Sequence, residues 1–356
     1  TCTSTELIVR MWPGQGHEER FVHLRDEWQN SLLSRGDPAF VIGEWVLKDD
    51  PFGMGGKKYS MVIDEMKGYF VLLPQILIQG TKLAASQNCN RKAYLIDLLP
   101  QGHTDLKMLK GTIIHELIQI ILLEGPIENL EARIDNLLET EKLSLYFIGK
   151  DKKSFIEENK SSLDVIYRIG ENVKSEFNDK NFNINGNGQI YENIQALPPY
   201  GCKTVKEEEN IWSFQWGLKG KIDVTLQSGD YLFPLEIKSG NSFRGVSPRD
   251  SHILQLAAYI FMVKEKYKEK SGNAGALFYS SDSVSFNILP SHRELFHIMM
   301  KRNKLAHAIA HGTIPETTHS ERDCKYCENA ILACAFLETG ETKKSPISRF
   351  LKTKLS

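Results

Sequence analysis

Two short stretches constrain this chain more than any others: Lys219-Gly-Lys-Ile-Asp223-Val-Thr-Leu226 and Pro234-Leu-Glu236-Ile-Lys238. As β-strands, each would put successive side chains on opposite faces. Ile222, Val224 and Leu226 then share one face and Asp223 the other. On the second strand Phe233, Leu235 and Ile237 share a face, leaving Glu236 and Lys238 together on the opposite one. Adjacent strands would gather two carboxylates and one ammonium. Such carboxylates hold a hard divalent cation such as magnesium, and a neighbouring lysine can orient or help deprotonate a metal-bound water. That is equipment for metal-dependent phosphodiester hydrolysis. The competing expectation is a surface hairpin with an ordinary ion pair.

Neighbouring motifs favour the first expectation. Gln255 and Tyr259 stand four apart in a stretch with helical apolar spacing, so both would overhang the strands from one helix face. His115 lies in Gly111–Pro126, where Ile113, Ile114, Leu117 and Ile121 make a core stripe and Gly125-Pro126 is a stop signal. A lone histidine there is ordinarily a hydrogen-bonded core residue. Together with Asp223, Glu236, Lys238, Gln255 and Tyr259 it is expected to be a metal ligand.

The 356 residues suffice for two domains or one elaborated domain, and 41% hydrophobic with 25% charged content is that of a globular protein. No apolar run reaches membrane-spanning length, since Ile113–Leu123 is short and holds His115 and Glu116. The N-terminus has no secretory pattern, and it begins on Thr1, so a processed product or a piece of a longer protein is expected. A net charge of −1 argues against a generally basic coat but leaves room for a local basic channel. Candidate patches are Arg91 and Lys92, and the tail Lys343–Lys354, expected to be a solvated end. Gly53-Met-Gly-Gly-Lys-Lys-Tyr59 lacks the spacing and hydroxyl of a nucleotide-binding P-loop and reads as a hairpin tip.

Six cysteines, at 2, 89, 202, 324, 327 and 334, are too unevenly clustered for a disulfide framework. Cys324, Cys327 and Cys334 form a ligand-like trio. A fourth thiolate from Cys2, Cys89 or Cys202 would complete an iron–sulfur or zinc site; His319 is an alternative fourth ligand for zinc.

Residues 1–80 are expected to be β-rich, with strands in Ala39–Leu47, Tyr59–Ile63 and Tyr69–Leu73 and a hairpin turn at Asp64–Gly68, suiting a small OB-like barrel. Residues 81–340 are expected to form an α/β domain with a central mixed sheet flanked by helices, and residues 341–356 a basic tail. Within the middle segment, Ile127–Leu145 carries a core-facing helical stripe, Ser154–Phe177 reads as a solvated helix and Asn183–Gly201 as a loop.

Taken in order, His115, Gly220-Lys-Ile-Asp223, Glu236-Ile-Lys238 and Gln255-x-x-x-Tyr259 resemble the PD-(D/E)XK nucleases of the RecB-like branch. Thr81–Leu95 with Cys89, and the C-terminal trio, resemble the iron–sulfur members. Among these, the chain is most similar to the nuclease region of eukaryotic DNA replication helicase/nucleases, which process Okazaki flaps; the likeness runs from about residue 40 to 336. CRISPR-associated and AddB-type exonucleases share the layout.

The resemblance implies a PD-(D/E)XK fold and cleavage of single-stranded or flap DNA in replication and repair. It implies magnesium or manganese held by His115, Asp223, Glu236 and the Ile237 main-chain carbonyl, with Lys238 acting on the water and Gln255 and Tyr259 fixing a phosphate. It also implies a four-iron four-sulfur cluster on Cys89, Cys324, Cys327 and Cys334, and DNA contacts from Arg91 and Lys92. The expected partners are a helicase domain, which this chain does not carry, and a single-strand-binding protein; the expected location is the nucleus, with mitochondria as a second site. The sequence departs from the pattern in two places. Six residues, one more than usual, separate Cys327 from Cys334, and Ile253 stands where an arginine could touch phosphate. A non-cleaving single-stranded DNA-binding module is the rival expectation.

Overall fold

The computed structural model describes residues 6–14, 18–53, 55–98, 105–125, 127–174, 192–194, 202–244, 247–317, 321–325 and 327. The chain packs as two compact units. Unit 1 comprises residues 1–94, 212–218 and 290–356; unit 2 comprises residues 95–211 and 219–289. Cys2, His319, Cys334 and the tail from 341 lie outside the described residues, as does most of the Asn183–Gly201 stretch.

Unit 1 opens with β1 (Leu7–Met11), β2 (Arg20–Leu24), β3 (Ala39–Ile42), β4 (Val46–Asp49), β5 (Lys57–Ile63), β6 (Tyr69–Leu72) and β7 (Ile78–Gln79), followed by α1 (Gly80–Ser86) and α2 (Asn90–Leu95). The β-rich character is as expected, but among the described residues no closed barrel forms. The strands make a four-stranded sheet, β1-β2-β5-β4, and a separate ribbon, β3-β6. The reason lies in the Ala39–Leu47 run. Gly43-Glu-Trp45 interrupts it, sending β3 to the ribbon and β4 to the sheet. Gly43 also packs tightly there, since a Cβ would stand 3.0 Å from Met61 Sδ. Asp64–Gly68 does turn, with the Asp64 carboxylate accepting the Met66 and Lys67 amides at 2.9 Å and Gly68 at φ +76°. It is not a hairpin turn, because β5 and β6 pair with different partners. The hairpin tip expected at Gly53–Tyr59 is borne out in part: the antiparallel pair β4 and β5 is joined ahead of Lys57, and Lys57–Tyr59 already belong to β5.

Unit 2 is a three-layer α/β/α arrangement. Its helices α3 (Leu106–Glu124), α4 (Leu130–Thr140), α5 (Lys142–Phe147) and α6 (Lys152–Lys174) precede β8 (Glu192–Ile194), β9 (Lys203–Ser213), β10 (Leu218–Ser228) and β11 (Tyr231–Lys238). Then come α7 (Asp250–Tyr267), β12 (Gly275–Tyr279) and β13 (Val284–Ile288). The sheet runs β10-β11-β12-β13-β8, with β9 also on β10. β11 and β12 are parallel and β10–β11 antiparallel, so the sheet is mixed. Ile113, Ile114, Leu117 and Ile121 of α3 bury against Val224, Leu235 and Ile237 on one face. Leu256 and Ile260 of α7 bury against Leu277, Tyr279 and Phe286 on the other. Helices on both faces explain why strands β12 and β13 are buried throughout. The expected solvated helix is corrected in part. Phe155, Leu163, Ile166 and Ile169 of α6 join the core, because apolar residues at helical spacing bury one face whatever the charge on the other.

Among the described residues the last elements are α8 (His292–His311) and α9 (Glu321–Lys325), both in unit 1. A capping box of Ser291 and Glu294 starts α8, and Gly312 at φ +62° ends it. Arg302 of α8 is fully buried and has no carboxylate among its hydrogen-bond partners. Its guanidinium donates to the main-chain carbonyls of Gly217 (3.1 Å), Leu73 (2.7 Å) and Ile76 (2.7 Å), and to that of Leu72. Gly217, at φ +60°, must be glycine here because a Cβ would overlap that guanidinium. Among the described residues no helix is long and apolar enough to cross a membrane.

Candidate active site

All seven residues singled out as metal-ligating or catalytic fall in unit 2. The register that pairs Val224 with Leu235 sets Asp223 opposite Glu236. At that point the ladder opens. The Ile237 amide donates to the Asp223 carboxylate at 2.7 Å instead of to a strand carbonyl. The strand alternation holds: Ile222, Val224, Leu235 and Ile237 are fully buried in the core.

Glu236 is buried as well, although it carries a carboxylate. Its Oε1 accepts from Lys238 Nζ at 2.5 Å and from Gln255 Nε2 at 2.7 Å. Lys238 also donates to Gln255 Oε1 at 2.8 Å, and the Gln255 amide reaches Tyr259 Oη at 2.9 Å. Gln255 and Tyr259 thus act from one face of α7, as their spacing of four predicts. Gly220 allows this closeness, since a Cβ there would stand 2.7 Å from the Tyr259 ring. His115 approaches from α3, its Nδ1 3.6 Å from Asp223 Oδ2, and hydrogen-bonds the Ile237 main chain.

Burial makes two close carboxylates costly. It raises Asp223 to about 6, against the pull of the Ile237 amide and Lys238. It raises Glu236 to about 7, and the charge of Asp223 adds to the shift. His115 is lowered chiefly by burial, which favours the neutral imidazole that ligates metals. Burial also raises the Tyr259 phenol, which therefore stays neutral at physiological pH.

The donor set fits a hard divalent cation. Glu236 Oε2 is buried with no hydrogen-bond donor, and the facing Asp223 carboxylate offers none when ionised. A cleft of about 800 Å³ opens beside the cluster, lined by His115 and Gln119 and by charges of both signs, Lys107, Arg133 and Lys221 against Glu116, Glu124, Glu207 and Glu208.

A family model described as DNA replication factor Dna2 matches residues 14–228. The chain belongs to the Dna2 family. The fission yeast Schizosaccharomyces pombe DNA replication ATP-dependent helicase/nuclease dna2 is 27% identical over 325 residues, covering 87% of this chain and 22% of that protein. The mouse protein named DNA2 is 26% identical over 360 residues (91% and 32%), and the human one 24% identical over 337 residues (85% and 30%). The chain therefore spans 22–32% of the length of these relatives.

In this member of the Dna2 family, sequence reasoning missed Gln119. It sits among the apolar residues of α3, buried, and donates to Glu208 Oε1 at 2.5 Å and to the Asp223 carbonyl at 3.3 Å. The signal was present: Gln119 is an amide inside a stripe of isoleucines, one helical turn beyond His115. Arg91 and Lys92 lie on α2 in unit 1, outside the cluster, and Arg91 Nε donates to the Pro315 carbonyl at 2.8 Å.

Of the cysteines, Cys89, Cys324 and Cys327 belong to unit 1 and none is in a disulfide. Cys324 is buried, and the Cys327 amide donates to its carbonyl at 3.2 Å. A Cys-x-x-Cys spacing is one that iron–sulfur and soft-metal sites use, but among the described residues Cys89, Cys324 and Cys327 are not gathered as a metal-ligating group. Cys202 lies in the unit 2 core, where burial pushes its thiol up to about 12, and it is not suited to ligation.

Proposed function

We propose that this chain is a DNA nuclease that cleaves single strands, as free ends or flaps, in replication and repair. The observation that carries the reading is a run of short contacts, His115 to Asp223 and Lys238 to Glu236 Oε1, on facing strand positions where Glu236 Oε2 is buried without a donor. The relatives' names, helicase/nuclease, agree with it.

His115, Asp223, Glu236 and the Ile237 carbonyl would hold magnesium or manganese. When bound, the cation supplies Lewis-acid polarisation of the scissile phosphate and a water of lowered pKa. The chain's own residues do the rest. Lys238 has three N–H donors, of which Glu236 and Gln255 take two; the third is available to orient the attacking water or to meet charge that develops on a phosphoryl oxygen. Gln255 couples Lys238 to Tyr259, so both are held in one orientation before substrate arrives. Gln119 braces the Asp223 main chain.

Cys89, Cys324, Cys327 and Cys334 are proposed to carry a four-iron four-sulfur cluster. Arg91 and Lys92 are proposed to contact DNA, with a helicase domain and a single-strand-binding protein as partners in the nucleus. The experiment is a cleavage panel of 5′ flaps, 3′ flaps, end-blocked flaps and blunt duplex, each with magnesium or with chelator. Flaps should be cut only with the cation and blunt duplex left intact. Binding without cleavage under every condition would overturn the nuclease reading in favour of a strand-holding module.

A further inference from the structure

Asp37, His307 and His311, all in unit 1, present ligand atoms within 4.8 Å of one another. We propose that these three residues bind a divalent transition metal of the zinc class. The inference is independent of the nuclease reading and uses none of its residues.

His307 and His311 stand at i and i+4 on α8, so one helix face presents both imidazoles, with ring centroids 4.4 Å apart. The same spacing lets a helix chelate zinc in other proteins. Asp37 comes from the loop before β3. Its carboxylate meets His311 Nε2 at 3.1 and 3.3 Å and is oriented by the Ser34 amide, which donates to Oδ2 at 2.9 Å. The fourth observation concerns His307: its Nδ1 is buried and has no hydrogen-bond partner. A buried ring nitrogen without a partner is costly in a folded protein, and a cation bound through it would satisfy it.

Two imidazoles and a carboxylate are a donor set for zinc, cobalt or iron(II), whereas magnesium prefers oxygen alone. A tetrahedral shell needs ligand atoms roughly 3.3 Å apart, within reach of small side-chain rotations here. The fourth position would be water. The bound cation would clamp α8 to the β3–β6 ribbon. Pro38, next to Asp37, accepts the Leu73 amide at 2.7 Å, and Asn303 of α8 accepts the Leu72 amide at 3.0 Å.

The test uses the full chain stripped of metal and titrated with cobalt(II) and zinc. Wild type, His311→Gln and the double variant His307→Gln/His311→Gln are compared. Wild type should take up one more equivalent of cobalt than either variant. The difference spectrum should show ligand-field bands without thiolate charge transfer, which excludes the cysteines as their source. Zinc should raise the wild-type melting temperature more than that of either variant. His311 is exposed, so His311→Gln alone should fold with an unchanged melting curve in chelator and decides the matter if the double variant does not fold. Equal metal uptake in wild type and His311→Gln, or a difference spectrum carrying thiolate bands, would overturn the site.

Discussion

Replacing Glu236 with glutamine should stabilise the metal-free protein while destroying its cleft chemistry. In the fold the Glu236 carboxyl is raised from 4.5 to about 7. A raised carboxylate means that the native state holds its proton longer than the unfolded chain does. Its contribution to stability therefore falls as pH rises from about 4.5 to about 7, and the full penalty is present above that. A shift of this size corresponds to about 3 kcal/mol. Glutamine escapes the penalty but weakens the Lys238 and Gln255 contacts, at a cost of about 1 kcal/mol. The net gain at pH 8 is then about 2 kcal/mol, or a melting temperature about 4–8 °C higher for a domain of this size.

The assay is thermal unfolding followed by circular dichroism, in chelator and in magnesium, at pH 8 and pH 4.5. The Glu236→Gln advantage should be clear at pH 8 in chelator and slightly reversed at pH 4.5, where the penalty is nearly absent and the weakened contacts remain. Magnesium should stabilise wild type, because a ligand that binds only the native state shifts unfolding by mass action, and it should leave the variant nearly unmoved. A variant less stable than wild type at pH 8 in chelator, or an advantage independent of pH, would refute the electrostatic reasoning.

Gln119→Leu should fold normally and lower kcat by roughly tenfold with little change in KM, measured in steady-state flap cleavage, because it unbraces Asp223 without touching substrate. Arg302→Met should cost about 3–5 kcal/mol in denaturant melts, since four main-chain carbonyls lose their donor; Arg302→Lys should not rescue it, a point charge being unable to span that fork. Purified protein should be brown and contain iron. Cys89→Ser should bleach it as fully as Cys324→Ser, while Cys202→Ser keeps its iron, all read by metal analysis and visible absorption.

Much of the candidate site was legible because strand alternation and helical spacing are local rules. Asp223 and Glu236 sit out of phase with the apolar positions of their strands, and Gln255 and Tyr259 fall on one helix face, whatever surrounds them. What could not be read depends on distant partners. The Ala39–Leu47 run looks continuous, and only the packing of Gly43 against Met61 accounts for its division between two sheets. Charges along α6 suggested a solvated helix, yet its apolar stripe found a core supplied by α3 and the sheet. Arg302 reads as one more basic residue on an amphipathic helix. Its partners are carbonyls, which leave no side-chain signature.

The central claim is that Asp223 and Glu236 hold the cation with which this chain cuts DNA. Single-turnover cleavage of a labelled 5′ flap by Asp223→Asn, measured beside its affinity for the same DNA, tests it most directly. Asparagine keeps the volume and an oxygen for the Ile237 amide, so fold and binding should survive. The account predicts cleavage at least about a hundredfold slower than wild type, the range expected when a preorganised catalytic group is removed, with affinity within a factor of about two. Cleavage at the wild-type rate would contradict it.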